Sequence, residues 1–241
     1  MTNENMKINY VGWPPFVNTT EYNGNIITLN EKTDVFTFFD DDQSNYIRSL
    51  WGKNIAELDE GAKLVIEQLL LNGTLIKCNA PSDALGIDCK VTNGIADPRW
   101  AIMGQDIKFK SFRPLYWYKA LNYLNSAYRE KRANNIHGLL NTLRTKQWRA
   151  KKINDKKLHL IAENTCIAMK FVLKDVQCLE FSYAVAKIAF EESIKCEFKI
   201  GVQTYPFISH AWIEGASGVV MDRASLNGEV STIVSIGGAR C

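Results

Sequence analysis

The rhythm of apolar and polar residues changes several times along the chain, and each change predicts an element. Ile8–Val11, Phe16–Tyr22, Ile26–Leu29 and Asp34–Phe39 read as strands of a small sheet, with Asn23-Gly24 as a hairpin turn. Asp40-Asp41-Asp42 then opens a helix in which Tyr46, Ile47, Leu50 and Trp51 recur at helical spacing, and Gly52 ends it. A second helix carries Leu58, Ala62, Val65, Ile66, Leu69 and Leu70 on one side and stops at Asn72-Gly73. Between the two lies only the short Asn54-Ile-Ala-Glu. Strands followed by helices in this order predict a winged-helix-like unit.

Residues 74–105 contain Pro81, Pro98 and several Gly and Asn with little periodicity, which reads as a connector, and a domain boundary is expected near Ala80. Helical spacing returns in Leu115, Tyr118, Leu121, Leu124 and Tyr128, then in Ile136, Leu139, Leu140 and Leu143, with a break near Asn134-Asn135. An apolar helix follows over Leu160–Leu173. Another follows Cys178, with Leu179, Phe181, Tyr183, Ala184, Val185, Ile188 and Ala189 spaced for burial. Ile208–Ile213 alternates, Glu214–Gly218 has turn composition and Val219–Met221 is a short strand, so this segment reads as a β-hairpin. The expected class is α+β, with an N-terminal unit over 1–80, a connector with basic helices over 81–157 and a C-terminal core over 158–241.

Composition adds bounds. The 241 residues are 46% apolar, enough for packed cores. The N-terminus lacks a basic-then-apolar signal pattern, and no apolar run approaches the ~18 residues needed to span a bilayer, so a soluble, cytoplasmic protein is expected. The six cysteines form no C-x-x-C pair, which argues against a zinc site or a dense disulfide framework. The net charge of +3 hides an asymmetry. Lys and Arg against Asp and Glu number 8 to 14 in residues 1–105, 14 to 3 in 106–157 and 7 to 9 in 158–241, giving −6, +11 and −2. The basic block fits a solvated face or a docking surface for an acidic partner or substrate. No nucleic-acid signature accompanies it, so nucleic acid is the weakest reading.

The candidate chemistry lies in the last third. Asp175 as an N-cap would place Cys178 in the first turn of a buried helix, where free backbone N–H groups and the positive end of the helix dipole favour a thiolate. With the hairpin loop centred on Ala216, His210 would face Asp222 across the ladder, their Cβ atoms roughly 4.5–5.5 Å apart. A one-residue slip would point them to opposite faces. Cys178, His210 and Asp222 thus suit a nucleophile, a base and its orienter. Against this stands the ordinary fate of a cysteine on an apolar helix, which is to be a small buried hydrophobe. Cys166 and Cys196 are read in that way, and His137 and His159 as ordinary histidines without ligand-spaced neighbours. Gly237-Gly238 lacks the context of a phosphate loop.

Cys178-Leu-x-x-Ser-Tyr-Ala, the Ile200-Gly-Val run, Pro206-Phe-x-x-His210-x-Trp212-x-Glu214 and the Asp twelve residues past the His resemble the B proteins of lasso-peptide biosynthesis. Those are microcin-type leader peptidases with a transglutaminase-like, papain-related cysteine protease fold, acting beside an ATP-dependent, asparagine-synthetase-like cyclase. The resemblance implies Cys178, His210 and Asp222 as the triad, a precursor (leader) peptide and the lasso cyclase as partners, and any need for ATP in the cyclase step; no cofactor or metal is evident in this chain. The order of elements in residues 1–80 resembles the PqqD-like recognition element fused to such proteins. There the leader is implied to add as a strand beside the third strand, mapped here to Val35, Phe36 and Thr37, with a groove wall at Leu58, Ala62, Val65 and Ile66. Two other functions share these features. A transglutaminase- or acetyltransferase-type acyl transferase would use the same triad, and a non-catalytic scaffold would only bind the precursor.

Overall fold

The computed structural model describes residues 10–80, 94–95, 111–149, 151–173 and 175–238. Most of the connector, with Pro81 and Pro98, the first residues of the basic block and both Cys89 and Cys241 lie outside the described residues. The chain divides into two compact units, Met1–Cys89 and Lys90–Cys241.

In the first unit, β2 (Val17–Tyr22), β3 (Asn25–Asn30) and β4 (Val35–Phe38) form an antiparallel sheet in the order β2-β3-β4. The first turn is Asn23-Gly24, with φ of 49° and 87°, the left-handed pair that a two-residue hairpin loop of matching twist requires. β1 (Tyr10–Gly12) does not join this sheet; it pairs with β5 (Ile76–Cys78), inside the stretch read as a connector. The three-residue β5 is too short for periodicity to reveal, and this pair is held by Val11 packing with Leu50, Leu58 and Leu75.

α1 (Asp41–Leu50) starts at a capping box: Gln43 N–H donates to Asp40 Oδ1 at 2.8 Å, and Asp40 N–H donates to Gln43 Oε1 at 3.2 Å. Ser44 ties this helix to the sheet, its hydroxyl accepting from Ile26 N–H and donating to the Phe39 carbonyl. After a 3-10 turn at Ile55–Glu57, α2 (Glu60–Leu71) is capped by Asp59, whose carboxylate accepts from Ala62 N–H at 2.7 Å. The winged-helix-like order is thus present.

The second unit holds α3 (Pro114–Lys146), α4 (Asp155–Met169) and α5 (Cys178–Glu191), then β6 (Glu197–Gln203), β7 (Ile208–Gly215), β8 (Gly218–Val219), α6 (Leu226–Glu229) and β9 (Ser231–Ile236). Its strands form one antiparallel sheet in the order β8-β7-β6-β9. Ten of the fourteen residues of α5 are buried, because it packs against α3, α4, β6 and β7 at once. A helix apolar on every side can be stable only inside such a layer. The Ser182 hydroxyl donates to the Ala211 carbonyl at 3.1 Å and pins α5 to β7.

The basic helices are part of this unit. Lys119 pairs with Glu192 near the end of α5 and Lys131 with Glu180 near its start, yet Lys146 is back at Glu191. α3 therefore doubles back at Asn135, whose φ of 55° and ψ of −159° break the helix where the Asn134-Asn135 pair predicted it. Lys157 of α4 joins Glu192 at 2.8 Å. Four of the block's lysines thus face carboxylates of this same chain. Lys119 and Lys157 hold the Glu192 carboxyl below its usual range. Burial pushes Glu191 up, but the Tyr123 hydroxyl and Lys146 more than offset it and hold that group low as well. Among the described residues no helix is long and apolar enough to cross a membrane.

Candidate active site

Cys178 is the first residue of α5, half-buried, as expected of a helix-head position. The cap differs from expectation. Gln177, not Asp175, is the N-cap, and its N–H donates to Glu180 Oε2 at 3.2 Å. Asp175 lies outside the helix, its carbonyl accepting from the Tyr128 hydroxyl. Glu180 is buried and also meets Lys131 at 3.4 Å, so two side chains of α3 and one of α5 fix the segment that delivers the sulfur. The only sequence signal for this clamp is a glutamate three residues after the cap, the second half of a capping box.

The hairpin also departs from the expected register. Gly215 pairs with Gly218 and Glu214 with Val219, so the loop is the two residues Ala216 and Ser217, one residue away from a loop centred on Ala216. Continued as a regular ladder, this register would put Asp222 opposite Ala211 and on the wrong face. It is not continued. Val220 N–H still donates to the Ile213 carbonyl at 2.9 Å, but Met221 has φ of 55°, and this left-handed residue turns the chain before Asp222. The carboxylate then reaches His210 from outside the strand. The slip and the turn cancel, a compensation that periodicity cannot show.

His210 Nε2 and Asp222 Oδ2 are 2.7 Å apart, and Arg223 N–H donates to the other carboxylate oxygen at 2.8 Å. His210 is 9% exposed and the Asp222 side chain 3%. Cys178 is near enough to act on the same imidazole, and with Nε2 taken by Asp222 the ring nitrogen left for the sulfur is Nδ1. Burial pulls the imidazole down, but the bonds to Asp222 and Cys178 and their charges more than offset it and hold the ring at about 9, against an ordinary 6.5. At neutral pH the ring is an imidazolium between a sulfur and a carboxylate. The other buried thiols differ: burial pushes Cys166 up to about 12 and raises Cys196 as well.

The residues mapped for leader binding divide. Val35, Phe36 and Thr37 lie on β4, the edge strand of its sheet, where Val35 is 51% and Phe38 42% exposed. Leu58, Ala62 and Ile66 are buried in the core of the first unit with Val11 and Leu75. Val65 faces elsewhere, and with Phe39, Tyr46, Ile47 and Leu69 it lines a cavity of about 500 Å³ between α1 and α2. The apolar strip legible on α2 covers two faces, of which one serves the core and the next the cavity. Asp42, Gln43, Gln68 and Asn72 supply its polar margin. Among the described residues no group of His, Cys, Asp and Glu is arranged to hold a metal ion.

A family model described as the transglutaminase-like superfamily matches residues 123–235, which contain Cys178, His210 and Asp222. The microcin J25-processing protein McjB of Escherichia coli is 33% identical to this chain over 81 residues, 32% of this chain and 39% of that protein. The chain thus spans about two fifths of the length of that relative. No solved structure matches the chain significantly. The chain therefore carries a transglutaminase-like domain in its C-terminal half, and the resemblance to lasso-peptide B proteins read from its motifs is borne out by its likeness to a microcin-processing protein.

Proposed function

We propose that the protein is a cysteine endopeptidase that removes the leader from a ribosomally made lasso-peptide precursor before a partner cyclase closes the ring. The observation that carries this reading is the buried imidazole of His210, bonded to Asp222 at 2.7 Å and held in its charged form by both Asp222 and Cys178.

The chemistry follows from that geometry. The Cys178 sulfur attacks the scissile carbonyl, and the negative charge gathers on its oxygen at the head of α5, where the Cys178 N–H is in place as a donor. His210 gives its proton to the departing amine, leaving a thioester. It then takes a proton from the water that attacks the thioester and returns it to the sulfur as the acid leaves. Asp222 keeps the ring in one orientation and favours its charged form throughout.

The first unit holds the leader. A peptide strand adding to the open edge of β4 would satisfy its backbone there and send alternate side chains toward the cavity beside Val65. Tethering raises the effective concentration of the cut site at the catalytic unit. Four lysines of the basic helices, Lys119, Lys131, Lys146 and Lys157, are engaged with Glu180, Glu191 and Glu192, which supports a structural role for those four.

The test is cleavage of a synthetic precursor followed by mass spectrometry. Wild type is expected to yield a leader ending in a free carboxylate, and Cys178→Ala to bind precursor with unchanged affinity and cut it at less than about a thousandth of the rate. Near wild-type cleavage by Cys178→Ala would refute the peptidase reading. A product carrying a new amide in place of the carboxylate would mark an acyl transferase instead.

A further inference from the structure

Three neighbours of His210 have no part in the mechanism just described. By the two-residue period of a strand, His210, Trp212 and Glu214 share one face of β7. The indole of Trp212 is fully buried and lies nearly parallel to the imidazole, with ring centroids 6.3 Å apart and planes 10° from each other. Its N–H donates to Glu214 Oε1 at 2.7 Å, and the other oxygen of that carboxylate holds Lys199 at 2.8 Å. Across the ladder, the residue paired with His210 is Gly201. A Cβ on Gly201 would lie 2.8 Å from the far edge of the indole and 2.4 Å from Val230 Cγ2. The ring therefore occupies the place where any other residue would have a side chain.

We propose that Trp212 is a positioning residue for His210: Glu214 fixes the indole plane, Gly201 admits it, and the stacked face of the indole holds the imidazole in line with Cys178 and Asp222. This inference rests on the triad reading and extends it by a fourth side chain. A buried ring lying parallel to the imidazole restricts its rotation about the Cβ–Cγ bond, which keeps both nitrogens aimed at their partners and so preserves the bond to Asp222 that favours the imidazolium. Lys199 keeps Glu197 as a second partner at 3.2 Å, so Glu214 can be replaced without leaving that lysine unpaired.

The test reads the imidazole directly and does not depend on turnover. His210 is one of three histidines in the chain, so its titration can be followed by NMR, alongside kcat and KM on a synthetic precursor. Trp212→Leu and Glu214→Leu should each lower the His210 midpoint by about one pH unit and kcat by about tenfold, with KM little changed. Glu214→Gln keeps an oxygen for the indole N–H and should restore both values to within about twofold of wild type. Gly201→Ala, which crowds the indole from the other side, should act like Trp212→Leu. Should Trp212→Leu not fold, Trp212→Phe tests the same point with a ring that has no N–H. The proposal is overturned if the leucine variants unfold more easily while the His210 titration and kcat stay as in wild type, or if Glu214→Gln behaves like Glu214→Leu. Failure of the triad reading looks different: Cys178→Ala would then still cleave, whatever the Trp212 variants do.

Discussion

Replacing Asp222 by Asn keeps the shape of the side chain and removes its charge, and the consequence is best read in stability as a function of pH. In the folded protein His210 stays protonated up to about 9, whereas in the unfolded chain it has the ordinary value near 6.5. At about 1.4 kcal/mol per pH unit, that difference means the site stabilises the fold by roughly 3 kcal/mol. Solvent screening takes little from this figure, because His210 is 9% exposed and the Asp222 side chain 3%. The folded value is raised, so the contribution is complete below about pH 6.5, declines as pH rises, and is gone above about 9. In Asp222→Asn only Cys178 still opposes burial, and the imidazole gives up its proton more easily. The variant should therefore be less stable than wild type by up to roughly 3 kcal/mol near pH 6, a melting point lower by up to about 12 °C for a unit of this size. Near pH 9.5 the gap should shrink to about 1 kcal/mol or less. Urea titrations of wild type, Asp222→Asn and His210→Gln at both pH values measure this. A gap that stays constant across the range, or widens with pH, would refute the reasoning.

Three further expectations follow from the same structure. If His210 gives the proton to the departing amine, kcat/KM for the precursor should fall as pH rises through about 9, where the ring discharges; a falling limb centred near 6.5 would show that Asp222 and Cys178 do not hold the proton. Asn135→Gly should raise the melting temperature of the protein by a few degrees, because φ of 55° with ψ of −159° is a region only glycine enters freely and the strain relieved is about 1–3 kcal/mol, whereas Asn135→Val should lower it. The Tyr123 hydroxyl donates to Glu191 Oε2 at 2.7 Å beside Lys146, so Tyr123→Phe should cost about 1–3 kcal/mol in urea unfolding and leave cleavage of bound precursor unchanged.

The sequence by itself determined most of the elements and placed the candidate side chains on them. Asn23-Gly24 can hardly be anything but a hairpin turn between alternating runs. Asp40 stands where a helix cap stands, and Asn134-Asn135 marks the break in α3. The spacing around Cys178, His210 and Asp222 named the three side chains that the fold brings together. These are local properties, set by φ preferences, side-chain reach and period, and so they can be read residue by residue. What the tertiary structure alone decided is how non-local demands are met. The hairpin has a two-residue loop, and the left-handed Met221 returns Asp222 to His210, two departures that cancel only in three dimensions. Trp212 lies flat beside His210 because the paired strand presents a glycine at that point. Ala62 and Ile66 went to the core while Val65, on the same apolar strip, went to the cavity, since the sequence of an amphipathic helix does not say which neighbour each of its faces will meet. The lysines of α3 and α4 found their carboxylates on α5, a pairing between segments far apart in the chain that no pattern within either one contains.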